Sequence, residues 1–149
     1  MNEPRATGEI ERALAATGSR EARAERIAEA IRVSGRYRWV GLYDVGEEEI
    51  SIVAWAGQGE PAYPRFPRTQ GLCGAATAAG ETVVVGDVTK DPRYLTTFGS
   101  TRSEIVVPVL AGGRAVGLVD VESERANAFG DDDRTALERC AGAASALWA

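Results

Sequence analysis

The stretch Ser103-Glu104-Ile105-Val106-Val107-Pro108-Val109-Leu110, followed after Ala111 by Gly112-Gly113 and then by Arg114-Ala115-Val116-Gly117-Leu118-Val119-Asp120-Val121-Glu122, decides the fold. Two runs rich in β-branched residues, joined by a glycine pair, predict a β-hairpin. Side chains alternate along a strand, so Asp120 and Glu122 share one face of the returning strand. Their neighbours are Val and Leu, and an ionised pair in such surroundings is costly unless something binds it. The position of Glu104 depends on the turn. A two-residue Gly112-Gly113 loop sets Ser103 opposite Glu122 and Ile105 opposite Asp120, whereas a three-residue Ala111-Gly112-Gly113 loop sets Glu104 opposite Asp120. A bulge near Pro108, which has no N–H to give to the ladder, also brings Glu104 round. The expectation is that all three acids converge.

On the N-terminal side of the hairpin, residues 7–33 place apolar side chains, Ile10, Leu14, Ile27 and Ile31 among them, at helical spacing. Gly18 divides this segment into a short helix and a longer one, and Ser19 is placed to cap the second. Tyr37-Arg38-Trp39-Val40-Gly41-Leu42-Tyr43-Asp44 and Glu49-Ile50-Ser51-Ile52-Val53-Ala54-Trp55 flank a Gly46-centred turn and predict a second hairpin, with Trp39, Gly41 and Tyr43 on one face. Residues 57–71 read as a long surface loop, in which Tyr63, Arg65 and Phe66 are candidates to close over a ligand.

Gly71-Leu72-Cys73-Gly74 leads into a short helix expected over 75–79, which Gly80 ends. A strand is expected over 81–88 and an irregular stretch over 89–101. The Asp131-Asp132-Asp133 run opens a terminal helix through Leu137, Cys140, Ala144 and Leu147, where acids satisfy free backbone donors and oppose the helix dipole. The whole is one α+β domain over 1–149, with a helical segment over 1–35 and the sheet, pocket loops and terminal helix over 36–149.

Composition narrows the function. A 44% hydrophobic chain of 149 residues supports one packed core, and a net charge of -5 with no basic stripe argues against phosphate-backbone recognition of nucleic acid. No apolar run reaches the roughly 20 residues that span a bilayer, and the first residues lack a signal-peptide core, so a cytoplasmic, membrane-free protein is expected. Two cysteines, Cys73 and Cys140, fit a reducing compartment. The absence of histidine removes Ser-His-Asp and Cys-His catalysis and the usual zinc ligand sets, so neither a metal nor a cofactor is expected. Grouped carboxylates remain: like charges close together raise one pKa toward neutrality, which suits an acid catalyst or a grip on an ammonium group.

In order along the chain, Trp39-Val40-Gly41-Leu42-Tyr43, Gly57-Gln58-Gly59-Glu60-Pro61-Ala62, Gly71-Leu72-Cys73-Gly74, Gly80-Glu81-Thr82, Ser103-Glu104-Ile105-Val106-Val107-Pro108 and Gly117-Leu118-Val119-Asp120-Val121-Glu122 resemble the free methionine-(R)-sulfoxide reductases, small stand-alone GAF domains. The resemblance runs from Trp39 to about Leu137. It implies a GAF-like fold with a central antiparallel sheet of about six strands, helices on one face and a ligand pocket on the other. It also implies that Trp39 and Tyr43 wall the pocket, while Glu104, Asp120 and Glu122 hold the amino acid and its sulfoxide. The family usually has aspartate where this chain has Glu122.

Of the family's three redox cysteines the chain keeps the one at Cys73. The second position falls on Tyr63 and that of the main nucleophile on Thr97, whose hydroxyl cannot replace a thiolate. The leading expectation is therefore binding of free methionine or its sulfoxide. The alternatives are a reductase that uses Cys73, activated at a helix start, with an external thiol such as thioredoxin, and a regulatory sensor acting through a partner chain. A homodimer through the N-terminal or terminal helices is also implied. Arg102 is a candidate counter-charge for the acids, and Cys140 reads as a core residue.

Overall fold

The computed structural model describes residues 2–149. Helix α1 (Glu3–Ala15) and helix α2 (Arg20–Gly35) are separated by Gly18, and Ser19 caps the second through its hydroxyl, which accepts from the Ala22 N–H at 3.0 Å. Ala24, Ile27, Ala28 and Ile31 follow the helical repeat on α2 and are all fully buried. Strands β1 (Trp39–Val45), β2 (Glu49–Gly57), β3 (Arg65–Pro67), β4 (Val83–Val85), β5 (Ser103–Ala111) and β6 (Arg114–Ser123) form one sheet in the order β3-β2-β1-β6-β5-β4, with every pair antiparallel. Helix α3 (Gly71–Ala79) lies between β3 and β4 in the chain, and helix α4 (Asp131–Ala144) closes it.

The sheet has two dry faces. Val40, Leu42, Ile105, Val107, Val119 and Val121 point to one face and pack with the buried stripes of α1, α2 and α4, including Leu137 and Cys140. Trp39, Tyr43, Val106 and Leu118 point to the other, where Phe66, Leu72, Cys73 and Ala76 cover them. Alternation along β1, β5 and β6 thus sorts one set of side chains to the helical layer and the other to the site. No helix among the described residues is long and apolar enough to cross a membrane.

Three boundaries differ from those expected. The loop over 57–71 contains β3, which pairs Phe66 with Ile50. Pro64 precedes it and Pro67 ends it, which made it read as loop, yet an edge strand tolerates proline because one side of its backbone needs no partner. The expected strand over 81–88 shortens to Val83–Val85, followed by a 3-10 turn at Val88–Lys90 that Asp87 caps at 3.0 Å through the Thr89 N–H. Helix α3 begins at Gly71 rather than Ala75, so Cys73 lies inside its first turn.

Candidate functional site

The register of the β5–β6 hairpin combines two of the arrangements the sequence allowed. Gly112 and Gly113 have φ of 60° and 80°, as a two-residue turn of the primed type requires, and Ala111 pairs with Arg114. The register then shifts between Val109 and Leu110: Leu110 faces Ala115 but Val109 faces Gly117, leaving Val116 as the extra residue. Glu104 consequently lies opposite Glu122, and Val106 lies opposite Asp120. On the other side of β6, Trp39 pairs with Glu122, Gly41 with Asp120 and Tyr43 with Leu118. All three acids and both aromatics therefore face the same way, as expected. The two-residue turn alone does not do this; the bulge, with Val116 as its extra residue, is what moves Glu104 into line.

Gly41 is where the backbone admits the aromatics. A Cβ there would clash with the Trp39 ring and lie 3.1 Å from the Tyr43 ring, so glycine lets the indole lie across the strand. The Trp39 Nε1 donates to the Gly59 carbonyl at 3.0 Å, and its ring meets Phe98 edge-on at 5.4 Å. Tyr43 meets Phe66 in the same manner at 5.8 Å. Both β1 aromatics thus serve as core and as the floor under the two loops.

Glu104, Asp120 and Glu122 are 3%, 1% and 0% exposed. Burial, together with the Asp120 and Glu122 charges, raises Glu104 well above the carboxylate range. Burial lifts Asp120 to about 6 against hydrogen bonds with Glu104, Cys73 and Glu122 that favour its anion. Burial and the Asp120 charge lift Glu122 to about 8, opposed by hydrogen bonds from Thr97, Thr101 and Tyr94. The trio thus carries far less than three charges at neutral pH. Tyr94 donates to Glu122 at 3.2 Å, while Oδ1 of Asp120 and Oε2 of Glu122 have no hydrogen-bond partner among the described residues. Arg102 is exposed, its charge acts on Asp87, and it forms no ion pair with any of the three acids among the described residues.

Cys73 is buried and shares a hydrogen bond with Asp120; its sulfur and one oxygen each of Glu104 and Asp120 lie within 4.8 Å of one another. The thiol is not activated as the sequence suggested. Burial first, and then the three acids, push its pKa well above the usual thiol value. An exposed helix N-terminus contributes only about 0.3–1 kcal/mol, too little to offset both.

A cavity of about 20 Å³ is lined by Tyr43, Tyr63, Phe66, Leu72, Cys73, Leu95, Thr97, Glu104 and Asp120, with Gly71 at its rim. Tyr63 and Thr97, the positions where the resemblance places two further cysteines, therefore sit around the same space as Cys73. Arg65 points away and pairs with Glu49 at 3.4 Å. The sequence reading missed Tyr94, Leu95 and Phe98. Their signal was weak but present, an aromatic pair and a leucine in an irregular stretch too long for a plain connection.

A family model described as "GAF domain" matches residues 19–147. The chain belongs to the GAF domain family. This GAF domain is 31% identical over 129 residues to GAF domain-containing protein A of Dictyostelium discoideum, covering 87% of the chain and 81% of that protein. It is 33% identical over 105 residues to the free methionine-R-sulfoxide reductase of Saccharomyces cerevisiae, covering 69% of the chain but only 58% of that protein. It also resembles the solved free methionine-R-sulfoxide reductase of Neisseria meningitidis in complex with its substrate, with a TM-score of 0.87, 30% identity, and coverage of 98% of this chain and 87% of that one. The resemblance to this reductase family, read from the motifs, is thus upheld.

Proposed function

We propose that this GAF domain binds a free amino acid of the methionine or methionine-sulfoxide type, with its ammonium group held by Glu104, Asp120 and Glu122. The observation that carries the proposal is the set of buried carboxylates with two unpartnered oxygens, on a face walled by Trp39, Tyr43 and Phe66. A buried acceptor without a donor costs about 1–3 kcal/mol, and an ammonium group recovers it while letting the acids ionise. The aromatics and Leu72 offer the apolar surface a thioether needs. The relatives named free methionine-R-sulfoxide reductase support the ligand class.

Calorimetric titration at pH 8 with L-methionine, both epimers of its sulfoxide and unrelated amino acids tests this. Binding of the methionine compounds is expected, weakened at least tenfold in Asp120→Asn, because the ammonium then loses its charged partner. Silence across the panel overturns the proposal.

One observation favours chemistry beyond binding, namely the contact between Cys73 and Asp120. In that reading Asp120 takes the thiol proton as the sulfur attacks the sulfoxide sulfur, and protonated Glu122 gives a proton to the sulfoxide oxygen. The products are the thioether and a Cys73 sulfenic acid. An external thiol condenses with the sulfenic acid, releasing water, and a second thiol restores Cys73 as a disulfide leaves. Anaerobic turnover with dithiothreitol that disappears in Cys73→Ser supports this route; turnover that persists in that variant removes Cys73 from it.

A further inference from the structure

We propose that Cys73, Glu104 and Asp120 form a binding site for a single borderline divalent metal ion, of the Zn²⁺, Co²⁺ or Fe²⁺ kind, at the inner end of the same cavity. This goes beyond the amino-acid reading, which needs no metal. Three potential ligand atoms, one from each residue, lie within 4.8 Å of one another, and all three residues are buried. A tetrahedral ion with a metal–sulfur distance of about 2.3 Å and metal–oxygen distances of about 2.0–2.2 Å holds its ligand atoms roughly 3.3–3.8 Å apart, well inside that limit. No large rearrangement is needed to bring the set to coordination distance.

The second observation is independent of the cluster's shape. Asp120 is 1% exposed and lines the cavity, yet its Oδ1 has no partner, and the neighbouring Glu122, fully buried, leaves Oε2 unpartnered. Among the described residues no ion pair joins a lysine or arginine to these acids; Arg38, which lies over the Phe98 ring, is engaged with Glu124. The cavity volume of about 20 Å³ also matches a single ion or water rather than an amino acid. A divalent cation supplies the missing positive charge in the smallest volume.

The donor chemistry sets the metal. One thiolate with two carboxylates selects borderline cations over Mg²⁺ and Ca²⁺, which take oxygen ligands in larger numbers. Three protein ligands leave a fourth position toward the cavity, open to water or to a polar group of a ligand. Thiol and carboxyl protons leave as the ion enters, so binding releases protons. Because the ion and an ammonium group both use Asp120, the two occupants compete.

The test uses the full chain, first without any amino acid. Metal-free protein is titrated with Cd²⁺ and Co²⁺ while absorbance is followed, and with Zn²⁺ by calorimetry and pH-indicator release. The expected result is one equivalent bound, a thiolate charge-transfer band with Cd²⁺ and Co²⁺, and proton release on Zn²⁺ addition. Cys140→Ser keeps the band, whereas Cys73→Ser loses it and binds Zn²⁺ at least tenfold more weakly. Mg²⁺ gives no signal. No stoichiometric uptake by the wild-type protein, or a band that survives Cys73→Ser and vanishes in Cys140→Ser, overturns the site. Should Cys73→Ser fail to fold, the wild-type titration and the Cys140→Ser control decide alone. Metal uptake is read without methionine compounds, so its failure is distinct from failure of amino-acid binding.

Discussion

Cys73 shows how far one residue's chemistry is set by a shift of a few positions in a helix boundary. With α3 starting at Gly71, the thiol turns into the sheet and meets three acids instead of facing solvent at the helix mouth. Cys140 is likewise buried, on the inner face of α4, and burial, with the Glu3 charge, pushes its pKa up to about 12. Thiolates, not thiols, react with alkylating reagents. Both cysteines are therefore expected to resist iodoacetamide at pH 8 in the native state and to react together in guanidinium. Mass spectrometry of the native protein checks this, and rapid single labelling of Cys73 would mean that its environment is less enclosed than described. Gly41 makes a second point at this scale: Gly41→Ala forces the indole off the strand, and a loss of about 1–3 kcal/mol is expected in denaturant unfolding, as for other overpacked sites.

At the scale of elements the β5–β6 hairpin is decisive, and its acids give it a characteristic pH response. Unfolded carboxylates titrate near 4, whereas Asp120 and Glu122 in the fold titrate at about 6 and about 8. Between those limits the native state binds more protons than the unfolded state, so stability falls as pH rises, by up to about 1.4 kcal/mol per pH unit for each proton retained. The ligand-free protein should thus have a higher Tm at pH 5 than at pH 8.5, and Glu122→Gln should flatten the slope. The partly exposed acids Glu9, Glu29, Asp87 and Asp91 have lowered pKa values, and their contribution is already complete above pH 5. A Tm that is level or rising across this window would show the carboxylates to be better compensated than the fold indicates. That Asp120 and Glu122 share a face was legible in the sequence, because period-two alternation needs only the strand assignment. The bulge at Val116 was not: an extra residue between two valine-rich runs leaves no compositional mark, and only the packing of both faces selects it.

For the whole molecule, the sheet separates a helical layer from the layer of loops and α3 that covers the site. The helical side was legible because α1, α2 and α4 carry apolar side chains at 3.6-residue spacing and end at recognisable caps; Leu137→Ala in that core should cost about 2–5 kcal/mol. The site side was legible in its strands but not in its covering, because residues 58–64 and 91–102 owe their conformation to tertiary contacts rather than to any repeat. Those contacts include the Ala62 N–H to the Thr97 carbonyl at 3.3 Å, the Ile52 N–H to the Pro64 carbonyl at 2.7 Å, the Arg102 N–H to the Ser123 carbonyl at 2.8 Å, the Trp39 indole to Gly59 and the Tyr94 hydroxyl to Glu122. A free amino acid needs several times the roughly 20 Å³ present, since small-molecule sites start near 300 Å³. Binding therefore requires these two loops to open and reclose while the helical layer stays fixed. Hydrogen exchange should show faster amide exchange in 58–64 and 91–102 than in α2 or β6 before ligand is added, and slowing confined to those loops and α3 once methionine sulfoxide is bound. Protection spread evenly over the helical layer, or none in the loops at saturating ligand, would place the binding event elsewhere on the domain.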